Sequence, residues 1–218
     1  MSKKPIIVFE GVEGSGKSYH INNVASFLKK NKVKFIKIRE PGGSQNSEKI
    51  RDLLMNKNSK FDKITDLLLY MAARNENYIK IISKYKNKKI ILIDRFIDST
   101  IAYQYFGMGI DLNFINFLNK KILKKTLVNF TFLHTVSINN LKLRLKKRKS
   151  LNRYDTFKES FYKKVQKGFL SIAKKKRKYL LINSNLPINY NKNIVINKVK
   201  EIILWWQKNL QKTFFMDT

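Results

Sequence analysis

The sequence predicts an α/β fold in which a doubly wound, five-stranded parallel sheet is flanked by helices. Short runs rich in β-branched residues alternate along the chain with longer segments whose apolar residues recur at helical spacing. A glycine-rich turn follows the first of these runs directly. No Pro-, Gly- or Ser-rich linker interrupts the 218 residues, so we expect one domain over residues 1–218.

The predicted strands and helices alternate from one end of the chain to the other. Strands are predicted at residues 5–8, 33–38, 89–93, 127–133 and 179–182. The first helix has Ile21, Val24, Ala25 and Leu28 on its apolar face. Further helices are predicted at residues 47–55, 61–85, 112–123, 138–145, 157–173 and about 195–210. This alternation is typical of parallel strands joined by crossover helices.

The turn after the first strand covers residues 9–18, with the sequence FEGVEGSGKS. Its glycines and its Gly-Lys-Ser end fit the P-loop pattern G-x-x-x-x-G-K-[ST], in which backbone N–H groups converge on a polyphosphate. Lys17 is expected to reach the β- and γ-phosphates, and the Ser18 hydroxyl to ligate Mg²⁺. We therefore predict a P-loop NTPase-type fold. The predicted phosphate-binding residues are Gly11, Val12, Glu13, Gly14, Ser15, Gly16, Lys17 and Ser18.

Charged residues stand where the second and third predicted strands end. Arg39 and Asp94 occupy these positions, and Arg95 follows at once. Ligands of an open parallel sheet bind beyond the carboxyl ends of its strands, so these side chains should face the P-loop. Asp94 has the position of a Walker B acid and is predicted to hold the Mg²⁺ shell, although the Asp94-Arg95 pair could instead be a strand-end salt bridge. Glu13 would be repelled by a bound phosphate and is expected to face a second substrate.

Tyr70 and Arg74 are one turn apart on the predicted helix 61–85 and share a face. An aromatic ring beside a guanidinium could hold a base by stacking and hydrogen bonding. The alternative is that Tyr70 is a core residue.

A basic segment follows the predicted helix 138–145 and reads RLKKRKSLNRYD over residues 144–155. Such a density of like charge repels itself unless anions neutralise it. We predict a mobile lid over bound phosphates at about residues 144–157, and the alternative is a solvated face.

The net charge of +31 raises the possibility of a nucleic-acid or anionic-membrane partner. The substrates of a P-loop enzyme are themselves polyanions, however, and the abundance of Lys, Asn and Ile is typical of an AT-rich genome. The basic residues are scattered, with short clusters only at 146–149 and 174–178. We therefore expect composition bias and no dedicated nucleic-acid partner.

The remaining composition excludes several kinds of site. The chain has no cysteine, which rules out disulfides and thiolate metal sites. His20 and His134 are the two histidines, and we expect both to be structural or exposed rather than metal ligands. The first predicted strand starts within five residues of the N-terminus, and no apolar run approaches 18 residues. We expect a soluble, cytoplasmic protein without a membrane partner.

Taken together, several motifs resemble those of the bacterial thymidylate kinases, a family of P-loop nucleoside monophosphate kinases. The resemblance covers nearly the whole chain. It is carried by residues 9–18, by REPGG at 39–43 and YMAAR at 70–74, by DRF at 94–96 with Ser99, Thr100 and AYQ at 102–104, and by NRYD at 152–155. Each motif is short, but their order and spacing together are highly specific.

The resemblance implies a homodimeric, Mg²⁺-dependent kinase that transfers the γ-phosphoryl group of ATP to dTMP. It implies that Arg39 and Arg95 grip the dTMP phosphate and that Glu13 binds the sugar 3′-hydroxyl. Tyr70, in place of the usual Phe, would stack on thymine. The complete implied dTMP site is Glu13, Arg39, Tyr70, Arg74, Arg95, Thr100, Tyr103 and Gln104.

The other base contacts also follow from the resemblance. Arg74 would hydrogen-bond the base, while Thr100 and Gln104 would lie near its edge. Tyr103 would crowd the 2′ position and disfavour ribonucleotides. The chain departs from the family pattern at Tyr19-His20, Asn152 and Asp155.

Some members of the family carry an arginine inside the P-loop, but the variable positions 12–15 of this chain offer none. A planar, permanently charged donor suits the charge that builds on the transferring phosphoryl group. We therefore expect the lid to supply it, from Arg148 or Arg153 first, with Arg144 and Lys146 behind them. The predicted catalytic residues are Lys17, Arg95, Arg148 and Arg153, and the predicted metal ligands are Ser18 and Asp94.

Two other functions remain open at this stage. A deoxynucleoside kinase would accept an uncharged 5′-hydroxyl, whereas the pair of Arg39 and Arg95 favours a substrate that already carries phosphate. A nucleic-acid-associated ATPase or GTPase switch is motivated by the net charge alone.

Overall fold

Five parallel strands form the central sheet, in the order β2-β3-β1-β4-β5. They are β1 Ile6–Gly11, β2 Phe35–Arg39, β3 Ile90–Asp94, β4 Phe130–Thr135 and β5 Tyr179–Asn183. The structure, a computed structural model, describes residues 4–148 and 150–214, with side chains as far as residue 208. Lys149 of the basic segment and the side chain of Leu210 therefore lie outside the described residues.

The sheet confirms the predicted α/β fold with five parallel strands. The fourth strand begins three residues later than its apolar run predicts. Its partner β1 starts at Ile6, and the register pairs Ile7 with Phe130, so Leu127 and Val128 have no strand beside them. The side chain of Asn129 accepts a hydrogen bond from the Ile6 amide at 2.8 Å and closes this edge.

Helices cover both faces of the sheet. They are α1 Lys17–Lys30, α2 Gln45–Met55, α3 Lys63–Asn77, α4 Ser83–Tyr85, α5 Ile97–Thr100, α6 Leu112–Leu123, α7 Ile138–Lys146, α8 Glu159–Lys174 and α9 Ile188–Phe214. The predicted helix 61–85 is interrupted by a π-helical stretch at Tyr78–Ile82, and a second π-helical stretch, Ile101–Gly107, continues α5. In the described part of the chain, no helix is both long and apolar enough to cross a membrane.

The two faces of β1 feed separate apolar cores, which is why the strand is buried along its whole length. Ile7 and Phe9 join the core under α1 and α9, whereas Ile6 and Val8 pack with Ile82 of the π-helical stretch on the opposite face. Because β1 lies at the centre of a parallel sheet, its carboxyl end and those of its neighbours β3 and β4 lie at the same edge of the sheet. The parallel register pairs Phe9 with Asp94 and Asp94 with Arg39, so the side chains that follow these strands converge there.

Candidate active site

The P-loop joins β1 to α1 and leaves backbone amides open towards the cleft. Gly11 and Gly16 have φ angles of 138° and 86°, which side-chain-bearing residues rarely adopt. A Cβ atom on Gly11 would also collide with the carbonyl of His134 and the hydroxyl of Ser15. Gly16 is the N-cap of α1, so the positive end of that helix points into the loop. This is the geometry that a bound polyphosphate needs.

The Lys17 ammonium lies folded against its own loop. It donates to the carbonyl oxygens of Gly11 at 2.9 Å and Val12 at 2.8 Å. Burial, together with the positive charge of Arg95, lowers the pKa of Lys17 to about 8. The two carbonyl oxygens counteract this shift by stabilising the charged form, and they hold the ammonium against the P-loop.

Ser18 and Asp94 form the predicted metal-binding pair. The Ser18 hydroxyl donates to Oδ2 of Asp94 at 3.3 Å, while Oδ1 of Asp94 is buried and has no hydrogen-bond partner among the described residues. A hydroxyl and a carboxylate with a spare oxygen suit a Mg²⁺ ion that takes its other ligands from phosphate and water. Residues 4–148 and 150–214 contain no cluster of three or more His, Cys, Asp or Glu residues able to hold a metal by themselves. The donor set therefore fits Mg²⁺ bound together with a nucleotide.

The Glu13 side chain contacts groups outside the P-loop. Its Oε1 pairs with Nη2 of Arg95 at 2.7 Å, and its Oε2 accepts a hydrogen bond from the Tyr103 hydroxyl. Arg95 also donates to the carbonyl of Gly11 at 2.8 Å, and its guanidinium lies 5.1 Å from the centre of the Tyr103 ring. Glu13, Arg95 and Tyr103 thus form one connected group beside the P-loop.

Most of the predicted site residues line a single cleft of about 390 Å³. Its lining includes residues 13–18 of the P-loop, Arg39, Tyr70, Asp94, Arg95 and Arg148. A hollow of about 20 Å³, lined by Glu13, Tyr70, Arg95, Ser99, Tyr103 and Gln104, lies beside it. Thr100 is buried and lines neither space.

Arg39 and Tyr70 line the same cleft as the P-loop. Nη2 of Arg39 pairs with Oε2 of Glu48 at 2.7 Å, and both side chains remain partly exposed. The Tyr70 ring meets the Tyr154 ring edge to face at 5.9 Å, and burial raises the pKa of Tyr70 to about 12. Tyr70 therefore stays neutral and presents an aromatic surface to the cleft.

Seven residues that line the cleft were not among the predicted site residues: Tyr19, Glu40, Pro41, Arg51, Met55, Asn152 and Tyr154. Arg51 donates to the carbonyl oxygen of Pro41 at 2.8 Å, which directs its guanidinium towards the cleft. Arg51 belongs to an ordinary amphipathic helix without a recognisable motif. A possible signal for Tyr154 was its place in the NRYD motif, beside an arginine to which a role had been assigned.

Arg74 does not reach the cleft, contrary to the base-binding role implied for it. It is 1% exposed, and its Nε pairs with Oε2 of Glu40 at 2.7 Å while its Nη1 donates to Asn119 at 2.7 Å. Both partners are buried, so moving the guanidinium would leave the Glu40 carboxylate without its counter-charge. This geometry supports a structural role for Arg74.

The two favoured lid arginines point in different directions. Arg148 lines the cleft, and its Nη1 pairs with Oδ1 of Asp155 at 2.5 Å. Asp155 is itself fixed, because its Oδ2 accepts the Asn152 amide at 3.0 Å in a capping box that begins the 3₁₀ turn Arg153–Thr156. Arg153 instead forms an ion pair with Asp66 of α3 and does not line the cleft. The structure thus separates a guanidinium that lines the cleft from one that ties the basic segment to α3.

Arg144 contacts the P-loop although the sequence placed it behind the other lid arginines. Its Nη1 donates to the carbonyl of Gly14 at 2.8 Å and its Nη2 to the carbonyl of Ser184 at 2.6 Å. The Ser184 hydroxyl donates to the carbonyl of Ser15 at 2.6 Å. Arg144 therefore braces the loop from outside and fixes its carbonyl side.

The two histidines are buried behind the P-loop and stack on each other at 5.1 Å. Burial lowers the pKa of His20 to about 4 and that of His134 to about 3, so both are neutral at physiological pH. They fill space between α1 and β4, in agreement with the structural role expected for them.

Comparisons with known proteins identify the family. The family described as Thymidylate kinase matches residues 9–195. The chain belongs to the thymidylate kinase family. It is 36% identical over 198 residues to a thymidylate kinase from Sulfurihydrogenibium, covering 89% of this chain and 96% of the relative. Identity to a thymidylate kinase from Mycoplasma capricolum is also 36%, over 204 residues, with the same two coverages.

A solved structure agrees with this assignment. The crystal structure of thymidylate kinase from Ehrlichia chaffeensis superposes with a TM-score of 0.73 at 33% sequence identity. The match covers 91% of this chain and 99% of that one. The chain therefore shares the fold of a thymidylate kinase nearly from end to end.

The buried pair of Arg74 and Glu40 generates a stability prediction. Arg74→Ala should lower the free energy of unfolding by about 3–5 kcal/mol, because it leaves a buried carboxylate unpaired. Arg39→Ala is the matched control. Its ion pair with Glu48 has side chains 53% and 37% exposed, and such pairs contribute no more than about 1 kcal/mol. Urea denaturation of both variants measures the difference, and equal losses would contradict the structural role of Arg74.

Proposed function

We propose that this chain is a dTMP kinase that transfers the γ-phosphoryl group of ATP to dTMP, giving dTDP and ADP. The observation that carries the proposal is one cleft lined both by P-loop residues 13–18 and by the guanidinium groups of Arg39 and Arg95. The P-loop suits a nucleoside triphosphate, and the two guanidinium groups suit an acceptor that already carries phosphate. Membership of the thymidylate kinase family supports dTMP as that acceptor.

The proposed mechanism is a direct transfer between two bound nucleotides. The P-loop amides and Lys17 bind the β- and γ-phosphates, while Arg95 and Arg39 hold the acceptor phosphate in line. Glu13 accepts a hydrogen bond from the sugar hydroxyl. Mg²⁺, held by Ser18 and Asp94 with the triphosphate, would supply charge neutralisation. Positioning and electrostatics therefore account for the rate enhancement without a covalent enzyme intermediate.

For the acceptor we assign base stacking to Tyr70 and selection against ribonucleotides to Tyr103. Gln104, which lines the hollow beside the cleft, completes the proposed base edge, whereas Thr100 is buried away from both spaces. Arg51 lines the same cleft as Arg39 and Arg95 and adds a third positive charge to it. A cytoplasmic location stays a prediction.

The proposal and its two alternatives differ in what stimulates ATP turnover. We expect phosphoryl transfer from ATP to dTMP in the presence of Mg²⁺, none to thymidine, and no stimulation by DNA. The guanidinium groups of Arg39 and Arg95 need an anionic partner, so an uncharged 5′-hydroxyl would be poorly held. Coupled ADP release, measured with each addition in turn, checks this. Turnover with thymidine but not dTMP would favour a deoxynucleoside kinase, and turnover that requires DNA would favour a nucleic-acid-associated ATPase.

Arg148 is proposed as the lid donor to the transferring phosphoryl group. Arg148→Ala should lower kcat by roughly 10²–10³-fold, since one preformed transition-state donor is lost, while the affinity for dTMP barely changes. Lys147→Ala removes a neighbouring lid charge at an exposed position and should leave kcat near that of the wild type. Steady-state kinetics with dTMP test both. A near-normal kcat for Arg148→Ala would shift the role to Arg95, or to Arg153 after a lid movement.

Tyr70 is proposed as the stacking platform for thymine. Stacking of a base on an aromatic side chain is worth about 1–3 kcal/mol, so Tyr70→Ala should raise the KM for dTMP roughly tenfold or more. Tyr70→Phe keeps the ring and should change this KM little. Initial rates at varied dTMP concentration measure it, and an unchanged KM in Tyr70→Ala would place the base elsewhere.

We also propose that the chain forms a homodimer. Large apolar side chains are exposed on α3, on the adjacent α6 and between them along the chain, where a second subunit would bury them. They are Ile64, Leu68, Ile79, Phe114 and Phe117. Light scattering at micromolar concentration should give twice the monomer mass. Phe117→Glu should lower it, whereas Leu204→Glu, at an exposed site on α9, which packs against α1, should not. A monomeric wild type would refute the dimer.

A further inference from the structure

Glu10 is a carboxylate in a strand whose other residues are apolar, apart from the terminal Gly11. It is 0% exposed. A buried carboxylate is costly unless it is hydrogen-bonded, so its partners indicate what it does. The residue does not line the cleft.

All side-chain partners of Glu10 in the described structure lie just after Arg95. Oε1 accepts the Phe96 amide at 2.8 Å and the Ser99 amide at 3.2 Å, and Oε2 accepts the Ser99 hydroxyl at 2.5 Å. The two amides belong to the N-terminus of α5, where backbone donors have no partner within the helix. Phe96, at the N-cap, has no side-chain oxygen to offer, so Glu10 caps the helix from the neighbouring strand.

The residue between β3 and this cap is Arg95, in a conformation that needs support. Its φ angle is 65°, in the left-handed region that non-glycine residues seldom occupy. The Arg95 amide donates to the carbonyl of Phe9 at 3.0 Å, and the following amide donates to Glu10. Phe9 and Glu10, adjacent residues of β1, therefore hold the backbone on both sides of the Arg95 Cα atom. A strained backbone conformation of this kind persists only where the surrounding structure fixes it.

This turn directs the Arg95 guanidinium. From it the side chain reaches back to the carbonyl of Gly11 and to Glu13, and its Nη1 lies 3.3 Å from the Ser99 hydroxyl. The same hydroxyl is bonded to Glu10. Glu10 thus holds both the backbone and a side-chain neighbour of Arg95.

We propose that Glu10 is a positioning residue for the acceptor phosphate: it holds the Arg95 turn so that the guanidinium is set for that phosphate before the nucleotide arrives. The inference rests on the proposed function, in which Arg95 binds the phosphate of dTMP. Glu10 itself touches no substrate. It faces a separate cavity of about 440 Å³ on the other side of the turn, shared with Asp98.

The role depends on acceptor geometry rather than on charge. Burial and the nearby Asp98 carboxylate raise the pKa of Glu10 to about 7, so its charged and neutral forms are similar in free energy at physiological pH. A glutamine of the same length can accept the two amides through its oxygen and donate to the Ser99 hydroxyl. Glu10→Gln should therefore preserve the turn, and Glu10→Ala should not.

The test isolates the contribution of the phosphate to binding. Calorimetry gives the Kd of dTMP and of thymidine, which differ only in that group, for each full-length variant. Glu10→Ala should weaken dTMP binding roughly tenfold or more and thymidine binding little, because one charged hydrogen-bond donor is misplaced. Glu10→Gln should restore most of the preference for dTMP. The KM for ATP, which depends on the P-loop, should stay near that of the wild type in both variants.

Asp98→Ala is the matched control. It removes another buried carboxylate from the same cavity, one that pairs with Lys176 at 2.7 Å and not with the Arg95 turn. It should lower stability without changing the preference for dTMP over thymidine. A general weakening of the fold would instead affect both ligands in both variants.

A double variant gives an independent readout. If Glu10 acts through Arg95, Glu10→Ala combined with Arg95→Ala should bind dTMP no more weakly than Arg95→Ala alone. The inference would be overturned if the two losses of dTMP affinity multiplied in the double variant. A Glu10→Ala protein that keeps the full preference for dTMP over thymidine would also overturn it. Should Glu10→Ala fail to fold, Ser99→Ala removes one of the three bonds, and roughly a threefold loss of that preference is expected. A Ser99→Ala protein with the full preference would then overturn it.

The proposed function is tested separately, on the wild-type protein. A wild type that fails to phosphorylate dTMP or to prefer it over thymidine would refute the kinase proposal itself. Wild-type dTMP kinase activity together with an unaltered preference in Glu10→Ala would refute only the role of Glu10.

Discussion

The register of β1 between β3 and β4 is the constraint on which the site depends. Parallel pairing places Phe9 beside Asp94 and Gly11 beside His134, so the P-loop leaves the sheet next to the end of β3. A shift by one residue would turn each β1 side chain to the opposite face and exchange the two apolar cores. It would also move Glu10 away from the turn that carries Arg95. The burial that stabilises the sheet therefore also aligns the phosphate-binding elements.

Each cation that lines the cleft is held by an acceptor of the protein itself. Lys17 donates to loop carbonyls, and Arg39, Arg95 and Arg148 pair with Glu48, Glu13 and Asp155. Such partners fix the direction of long side chains that would otherwise lose rotamer freedom on binding. They also limit repulsion among positive charges gathered around one cavity. The result is a cleft whose donors are set in place for anionic ligands.

The basic segment at residues 144–155 shows how arginines of one charged run can differ in their contacts. From the sequence, Arg148 and Arg153 were the first candidates for a phosphoryl donor, and Arg144 stood behind them. In the fold, Arg144 braces Gly14 of the P-loop, Arg148 enters the cleft and Arg153 is anchored to α3 by Asp66. Of the three, only Arg148 lines the cleft. Charge density drew attention to the segment but did not indicate which of its arginines would face the cleft.

Local patterns in the sequence determined the fold class, the P-loop and its helix, and the Ser18 and Asp94 pair. Each follows from hydrogen-bonding and burial rules that act over a few residues or at the end of one strand. The apolar run before Phe130 made β4 appear longer than it is, because a strand ends where its partner ends.

Tertiary structure alone decided the partners of the long polar side chains. Arg74 shares a helix with Tyr70, yet it turns inward to Glu40, 34 residues away in sequence, because that buried carboxylate needs a counter-charge. Likewise, Glu10 contacts Phe96 and Ser99, which lie 86 and 89 positions further along the chain. The direction of such side chains depends on charges and donors brought close by folding, which no local spacing contains.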